Sequence, residues 1–212
     1  MKESFLKLQE EKKERIIASA IHAFATYGYE NANTNLIAKD AGISVGSLFQ
    51  YFDNKEELFL TIVDYCSELL IAIFSEMIKE EDSFYETIEK IVARIINVSR
   101  SNPDLVKLYY EMATPNKSEM TVHLVDKLER ASSSSYEKLI KKGQEEGIVR
   151  RDIEPGAFAF FLDNLFVMLQ YSYSCGYYKE RFKLYFKGQE PEEDLVVIEQ
   201  FMKFVKGTFS CT

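Results

Sequence analysis

Residues 42–59 read GISVGSLFQYFDNKEELF. Glycines, a cluster of aromatic side chains and a lone lysine among acids share this short corner, and two helix starts can be read in it. Ser44 is suited to cap a helix VGSLFQYF, because a serine oxygen there accepts free N–H groups of the first turn. Asn54 followed by Glu57 satisfies the capping-box pattern, so a long helix is predicted from Lys55 to about Lys79. Upstream, Thr34 can cap a short helix TNLIAKDA that ends at Gly42. Ile37, Ala38, Ile43 and Leu48 are available to pack the two short helices together, Ala38 being small enough for close approach. A helix-turn-helix of this kind can place its second helix in a DNA major groove, or can be an ordinary packed corner.

Further out, Ile16, Ile17, Ala20, Ile21 and Phe24 recur at helical spacing and stop at Gly28, which predicts a first helix of roughly four turns. Beyond residue 80, helices are predicted from Phe84 to Ser99, with Ile88, Ile91, Val92 and Ile95 on one face, from Asp104 to Ala113 after Pro103, and from about Ser118 to Glu146, ending near Gly147. The serine run 132–135 lies inside the last of these and is too short for a linker. Pro155 suits the first turn of an apolar helix 156–175. A final helix spans about 192–209, and the aromatic, charged stretch between the two reads as a short helix and loop. There is no useful strand alternation and no fixed-period repeat. The expected class is all-α, with nine or ten helices.

Hydrophobic residues make up 46% of the 212, and prolines number four, which sets disorder aside. The first fifteen residues are mostly charged and lack the apolar core of a secretory signal, so a cytoplasmic location is expected. Segment 156–175 approaches membrane-spanning length but carries Asp163, Asn164 and Gln170, each costly in lipid. It is expected to be buried or to lie at a subunit interface, with no membrane role. Cys66, Cys175 and Cys211 lie far apart, and His22 and His123 are isolated, so no metal site, catalytic residue or cofactor is predicted. The net charge is −8, with seven basic against nine acidic residues in 1–59. Contact with a polyanion would therefore rest on a few placed cations, hydroxyls and helix N-termini.

Val45, Gly46 and Ser47 at the start of the second short helix are small enough to let its backbone approach DNA. Lys55 sits at the first position of a helix, where a cation opposes the macrodipole; a bound phosphate would explain it, and a solvated lysine costing a few tenths of a kcal/mol would be the ordinary alternative. Leu48 and Phe52 read as core.

The run from Ile16 to Phe59 resembles the DNA-binding domain of TetR-family transcriptional regulators. The resemblance rests on the Phe-x-x-x-Gly-Tyr ending of the first helix, the Thr-x-x-Ile-Ala segment, the Ala-Gly-Ile-Ser turn and the Leu-Phe-x-Tyr-Phe-x-Asn-Lys-Glu-Glu-Leu run. It covers about a quarter of the chain. It implies a three-helix DNA-binding domain over 1–57 and a larger helical ligand-sensing and dimerisation domain over 58–212. The implied protein is a regulator and not an enzyme: a repressor released from a palindromic double-stranded operator by a small hydrophobic or aromatic effector. By motif position, Thr34, Tyr51 and Lys55 would touch phosphates, Asn35, Val45, Ser47 and Gln50 would face bases beside the cap Ser44, and Gly46 and Phe49 would shape the approach. The family usually has tyrosine where this chain has Phe49, so packing is an equal reading there. The resemblance also implies a homodimer through helices 156–175 and 192–209.

Candidate ligand contacts in the second half are Tyr109, Tyr110, Met112, His123, Tyr136, Asn164 and Phe166, although an aromatic stripe on a helix is more often core. His123, Asp163 and Asn164 could orient a ligand or could be satisfied interface groups. Two other readings stay open: a helical-bundle carrier or enzyme for hydrophobic molecules with an inert corner, and a DNA-binding adaptor that senses no small ligand.

Overall fold

Apolar side chains at helical spacing line the inner faces of the longer elements. The computed structural model describes residues 2–77, 81–113, 122, 125–186 and 194–210; within these, the side chains of 70, 73–77, 112, 113 and 128 are outside the description. The elements are α1 (Glu3–Leu6), α2 (Glu10–Asn31), α3 (Thr34–Asp40), α4 (Val45–Tyr51), α5 (Lys55–Met77), α6 (Phe84–Ser101) and α7 (Pro103–Ala113). A π-type turn (Val125–Glu129) then runs into α8 (Arg130–Glu145), followed by α9 (Pro155–Ser174), α10 (Gly176–Tyr185) and α11 (Asp194–Phe209). The only extended pairing among the described residues is an isolated bridge between Val149 and Ser210. The fold is all-α, as expected. None of the described helices is long and apolar enough to cross a membrane.

Several boundaries differ from the sequence reading, each for a local reason. The first long helix begins at Glu10 and is longer than four turns; it breaks at Gly28, whose φ of 70° a side chain would resist. Asn33, and not Thr34, caps α3, its side chain accepting from the Asn35 N–H at 2.8 Å. Glu57 reaches back to the N–H of Asp53, one residue before the expected partner, while Asn54 accepts from the Glu57 N–H. The short helix α1 was not anticipated. Ser44 caps α4 as read, and α6 carries a full Ser83/Glu86 capping box. The serine run lies inside α8.

Two apolar clusters result. The first joins Phe5 of α1, Ile16, Ala20 and Phe24 of α2, Ile37 and Ala38 of α3, Leu48 and Phe52, and Leu58, Phe59 and Ile62 of α5, together with Leu108 of α7. The second gathers Ile88, Ile91 and Val92 of α6, Tyr136 and Ile140 of α8, Phe158, Leu162 and Phe166 of α9, and Val205 and Phe209 of α11. Helix α2 packs on α7, and α9 packs on α6, α7, α8 and α10. Helix α9 is not covered on all sides: Phe160 is 64% and Phe161 57% exposed.

Gly143 of α8 lies under the α6 end of the second cluster. A Cβ there would sit 2.6 Å from Val149 Cγ2 and 3.1 Å from the Phe84 ring. Val149 and Phe84 are both buried, so neither can yield freely. Alanine normally gains about 1 kcal/mol over glycine inside a helix. Overpacking costs about 1–3 kcal/mol. Gly143→Ala is therefore expected to lower the melting temperature by about 2–4 °C in a chain of this size, and an unchanged or higher melting temperature would show that the cluster has room there.

Candidate functional site

The corner between α3 and α4 is built by backbone geometry first. Gly42 takes a φ of 69°, which turns the chain so that the Ile43 N–H reaches the Ala38 carbonyl at 2.9 Å. Ser44 then starts α4: its Oγ accepts from the Ser47 N–H at 3.0 Å and meets Ser47 Oγ at 2.8 Å. Leu48 and Phe52 are buried, as read from sequence, and Val45 leans half-buried against the same core. On the other side, Asn35, Ser44, Gly46, Phe49 and Gln50 are exposed, with Thr34 and Ser47 half-buried beside them. Phe49, at 40% exposure, is part of this outer face and not of the core.

Two expected phosphate contacts have protein partners of their own. Tyr51 is 7% exposed, and its hydroxyl accepts from Lys12 Nζ at 3.1 Å. Lys12 thus presents the cation at this position. It was missed because it stands in an ordinary charged run, EEKKER, and its partner is 39 residues away. Lys55 Nζ donates to the carbonyls of Glu30 at 2.9 Å and Ala32 at 3.3 Å and lies 4.9 Å from the centre of the Tyr29 ring. The reading of Lys55 as a cation that only opposes a helix dipole is therefore corrected: the cation sits at the carbonyl end of α2, where the macrodipole favours it. A lysine ammonium has three donors, so these two bonds leave one for a further acceptor.

Residues 16–62 match the family model described as "Bacterial regulatory proteins, tetR family". That segment of the chain is thus of the TetR type. The HTH-type transcriptional regulator YhgD of Bacillus subtilis is 24% identical over 166 residues, 75% of this chain and 82% of that protein. The HTH-type transcriptional repressor AcnR of Corynebacterium jeikeium is 40% identical over 52 residues, 24% of this chain and 28% of its own. Among solved structures, a TetR family transcriptional regulator from Chloroflexus aurantiacus superposes with a TM-score of 0.71 at 22% identity, covering 100% of this chain and 99% of the other. The regulator FadR of Bacillus subtilis, solved in complex with stearoyl-CoA, superposes with a TM-score of 0.72 at 16% identity, covering 91% and 96%. At these identities the likeness to the solved structures is one of fold.

Beyond the matched segment, the candidate ligand residues separate. Tyr109 and Tyr110 of α7 gather around Tyr171 of α9, with ring centres 6.3 and 5.2 Å away, and Tyr178 of α10 joins at 5.3 Å from Tyr171. Tyr109 donates its hydroxyl to Glu129 at 2.6 Å. Burial and that bond push its phenol well above the ordinary range. Tyr136 and Phe166 are fully buried partners, 5.5 Å apart, and read as core. Asn164 points elsewhere: it is exposed and donates to the Phe160 carbonyl of its own helix at 2.7 Å. His123 and the side chain of Met112 lie outside the described residues. Glu129 and Tyr178 were not singled out from sequence, since nothing local marks a glutamate whose partner is on another helix.

Asp163 of α9 faces this cluster electrostatically. Burial, with the Glu129 charge adding to it, raises its carboxyl to about 6. Cys66 is likewise lifted to about 12 by burial, so its thiol stays protonated at neutral pH. Among the described residues there is no group of three or more His, Cys, Asp or Glu that could hold a metal ion.

Two outcomes are expected. Lys55→Ala should weaken binding to all duplex sequences alike and reduce the salt slope by about one per subunit; an unchanged slope would leave Lys55 only its role at the end of α2. An aspartate whose folded-state value exceeds its unfolded value of about 4 holds its proton more tightly when folded. Stability is then greatest at low pH, declines between about pH 4 and 6, and stays lower above. Asp163→Asn should accordingly raise the melting temperature at pH 7.5 and change it little at pH 4; equal effects at the two pH values would show that burial of this charge does not matter.

Proposed function

We propose that two copies of this chain bind a palindromic operator in double-stranded DNA through α4, and that a small, largely apolar effector releases them, making the protein a repressor. The observation that carries this reading is the outer face of the α3–α4 corner. Asn35, Gly46, Phe49 and Gln50 are exposed there, although Leu48 and Tyr51 of α4 are bound into the core and Val45 packs against it. Gln50 supports direct base recognition, since its amide can pair with both N6 and N7 of adenine. Thr34, Lys12 and Lys55 flank it as phosphate partners in this proposal, Tyr51 acting through Lys12. Val45, Ser47 and the cap Ser44 lie at the N-terminal end of α4, the end that reaches base edges in helix-turn-helix docking.

In the proposal, residues 1–57 read DNA while 58–212 sense and dimerise. The apolar side chains left exposed on α9 and α11, among them Phe160, Phe161, Leu195 and Phe204, are what a second copy would cover. The effector is proposed to bind at the tyrosine cluster of Tyr109, Tyr110 and Tyr171, where Glu129 and Asp163 would accept hydrogen bonds from it. A mostly apolar site with few convergent polar groups is the usual small-molecule arrangement.

The coupling follows from α7. Leu108 is fully buried in the first cluster, and its neighbour Tyr109 packs against that cluster while bonding Glu129. The long helix α5 gives a second link, through Asp64 and Lys127 of the π-type turn at 3.0 Å. An effector that competes for the Tyr109 hydroxyl would thereby shift α7 against α2.

Selection of random duplex fragments by the purified chain is expected to return an inverted repeat, and a failure to enrich any sequence would defeat the proposal at its root. With the selected duplex, Gln50→Ala should cost about 1–3 kcal/mol of discrimination at one position of each half-site. Tyr109→Phe deletes the bond to Glu129 and should by itself change operator affinity by about fivefold or more, the usual lower range of allosteric coupling. Identical affinities for the variant and the parent would remove α7 from the route.

A further inference from the structure

We propose that residues Lys2–Phe5, which precede the family-matched region, form a clasp that holds α4 in its reading pose. This rests on the DNA-binding reading of α4 above, but its physical basis is independent of DNA. A helix leaves its last four carbonyls without partners inside the helix. In α4 these belong to Leu48, Phe49, Gln50 and Tyr51. The first accepts from the Phe52 N–H at 3.1 Å. The other three are all taken by the clasp: Phe49 O by Lys2 Nζ at 3.3 Å, Gln50 O by Ser4 Oγ at 3.0 Å, and Tyr51 O by the Lys2 N–H at 3.2 Å. Phe5, 3% exposed, pins the segment from below, its ring 6.0 Å from Tyr51 and 5.0 Å from Phe52.

This bonding selects α4 and the residues just after it. Lys2 also pairs with Asp53 at 2.6 Å, so its ammonium lies at the negative end of the α4 dipole and beside the acid that follows the helix. Both would otherwise repel a nearby phosphate backbone in a chain whose first 59 residues are net acidic. The carbonyl held by Ser4 belongs to Gln50, the residue proposed to read adenine. Lys2, Ser4 and Phe5 are thus positioning residues: they fix the backbone from which the base-facing side chain extends, and they leave the outer face of α4 uncovered.

The test uses the full chain in two arms, amide hydrogen exchange without DNA and affinity for the selected duplex against a scrambled one. Phe5→Ala and Ser4→Ala should speed exchange of the amides of residues 48–52 about tenfold or more, while those of α6 and α9 keep their protection. They should also lower the preference for the selected duplex about tenfold, and Ser4→Thr, which keeps the hydroxyl, should restore both. If Phe5→Ala fails to fold, Ser4→Ala and Lys2→Met decide the matter. Unchanged exchange at residues 48–52 overturns the clasp. Faster exchange with unchanged duplex preference overturns its role in reading. A parent chain that selects no duplex defeats the DNA-binding reading, a failure visible before any variant is made, and the exchange arm still decides whether the clasp holds α4.

Discussion

The structure depends on keeping a seven-residue helix, α4, ordered at the surface while its outer side stays bare. Helices this short do not persist alone in water, because nucleation fixes several residues for each hydrogen bond gained. Stability must come from outside, and it can come only from the inner side if the outer side is to be used. Each contact obeys that limit. Ser44 satisfies the N-terminal end, Leu48 and Phe52 anchor the helix in the first cluster, and residues 2 and 4 take its final carbonyls. Gly42 sets the entry angle without contributing a side chain. Gln50 is left exposed on a backbone held from both ends.

Charge imposes the second limit. A chain with net −8 has no broad positive field to draw DNA toward it. Its cations near the corner are placed individually, and each also serves the fold: Lys12 on Tyr51, Lys55 on the carbonyl end of α2, Lys2 on the carbonyl end of α4. Helix dipoles and lysines are combined so that the negative ends of α2 and α4 are neutralised next to the proposed phosphate track. That arrangement favours discrimination by geometry over attraction at long range, because screened, sparse charges act only within about a Debye length, roughly 8 Å at physiological salt.

What the sequence discloses follows the range of the interactions. Ser44, the Asn54/Glu57 pair, Gly28 and Gly42 act within a few residues, so the corner and the start of α5 could be read from spacing alone. Leu48 and Phe52 could be assigned to the core because they lie about one helical period apart, with the exposed Gln50 half a period from each. The clasp could not be read in this way. Its four residues look like any charged leader, and the carbonyls they hold lie 46 to 49 positions along the chain. Lys55 was misjudged for the same reason, since the carbonyls it meets belong to residues 25 and 23 positions earlier. In the larger half, aromatic content marked Tyr109 and Tyr110, but only tertiary placement separates them from Tyr136 and Phe166, which are plain core.

The same distinction bears on how the two halves would communicate in the proposed mechanism. A single long helix such as α5 can transmit tilt, but it is a lever without a fixed fulcrum unless another contact resists its motion. The α2–α7 contact supplies one. His22 meets Asp104 at 2.8 Å, Lys107 holds the same carboxylate at 3.2 Å, and a side chain at Gly28 would come within 2.8 Å of Glu111. Burial alone would raise Asp104, yet the bonds to His22 and Lys107 outweigh it and hold its carboxyl below the ordinary range, so it stays charged. Gly28 is also where α2 breaks, so α7 lies against a point of the first cluster whose backbone is already turned. In the proposed coupling, a shift of Tyr109 against Glu129 would move α7, with Leu108 carrying it into the first cluster. Close packing makes such a contact bistable and not graded, which is what a regulator needs if an effector small beside the protein is to change the spacing of two reading helices.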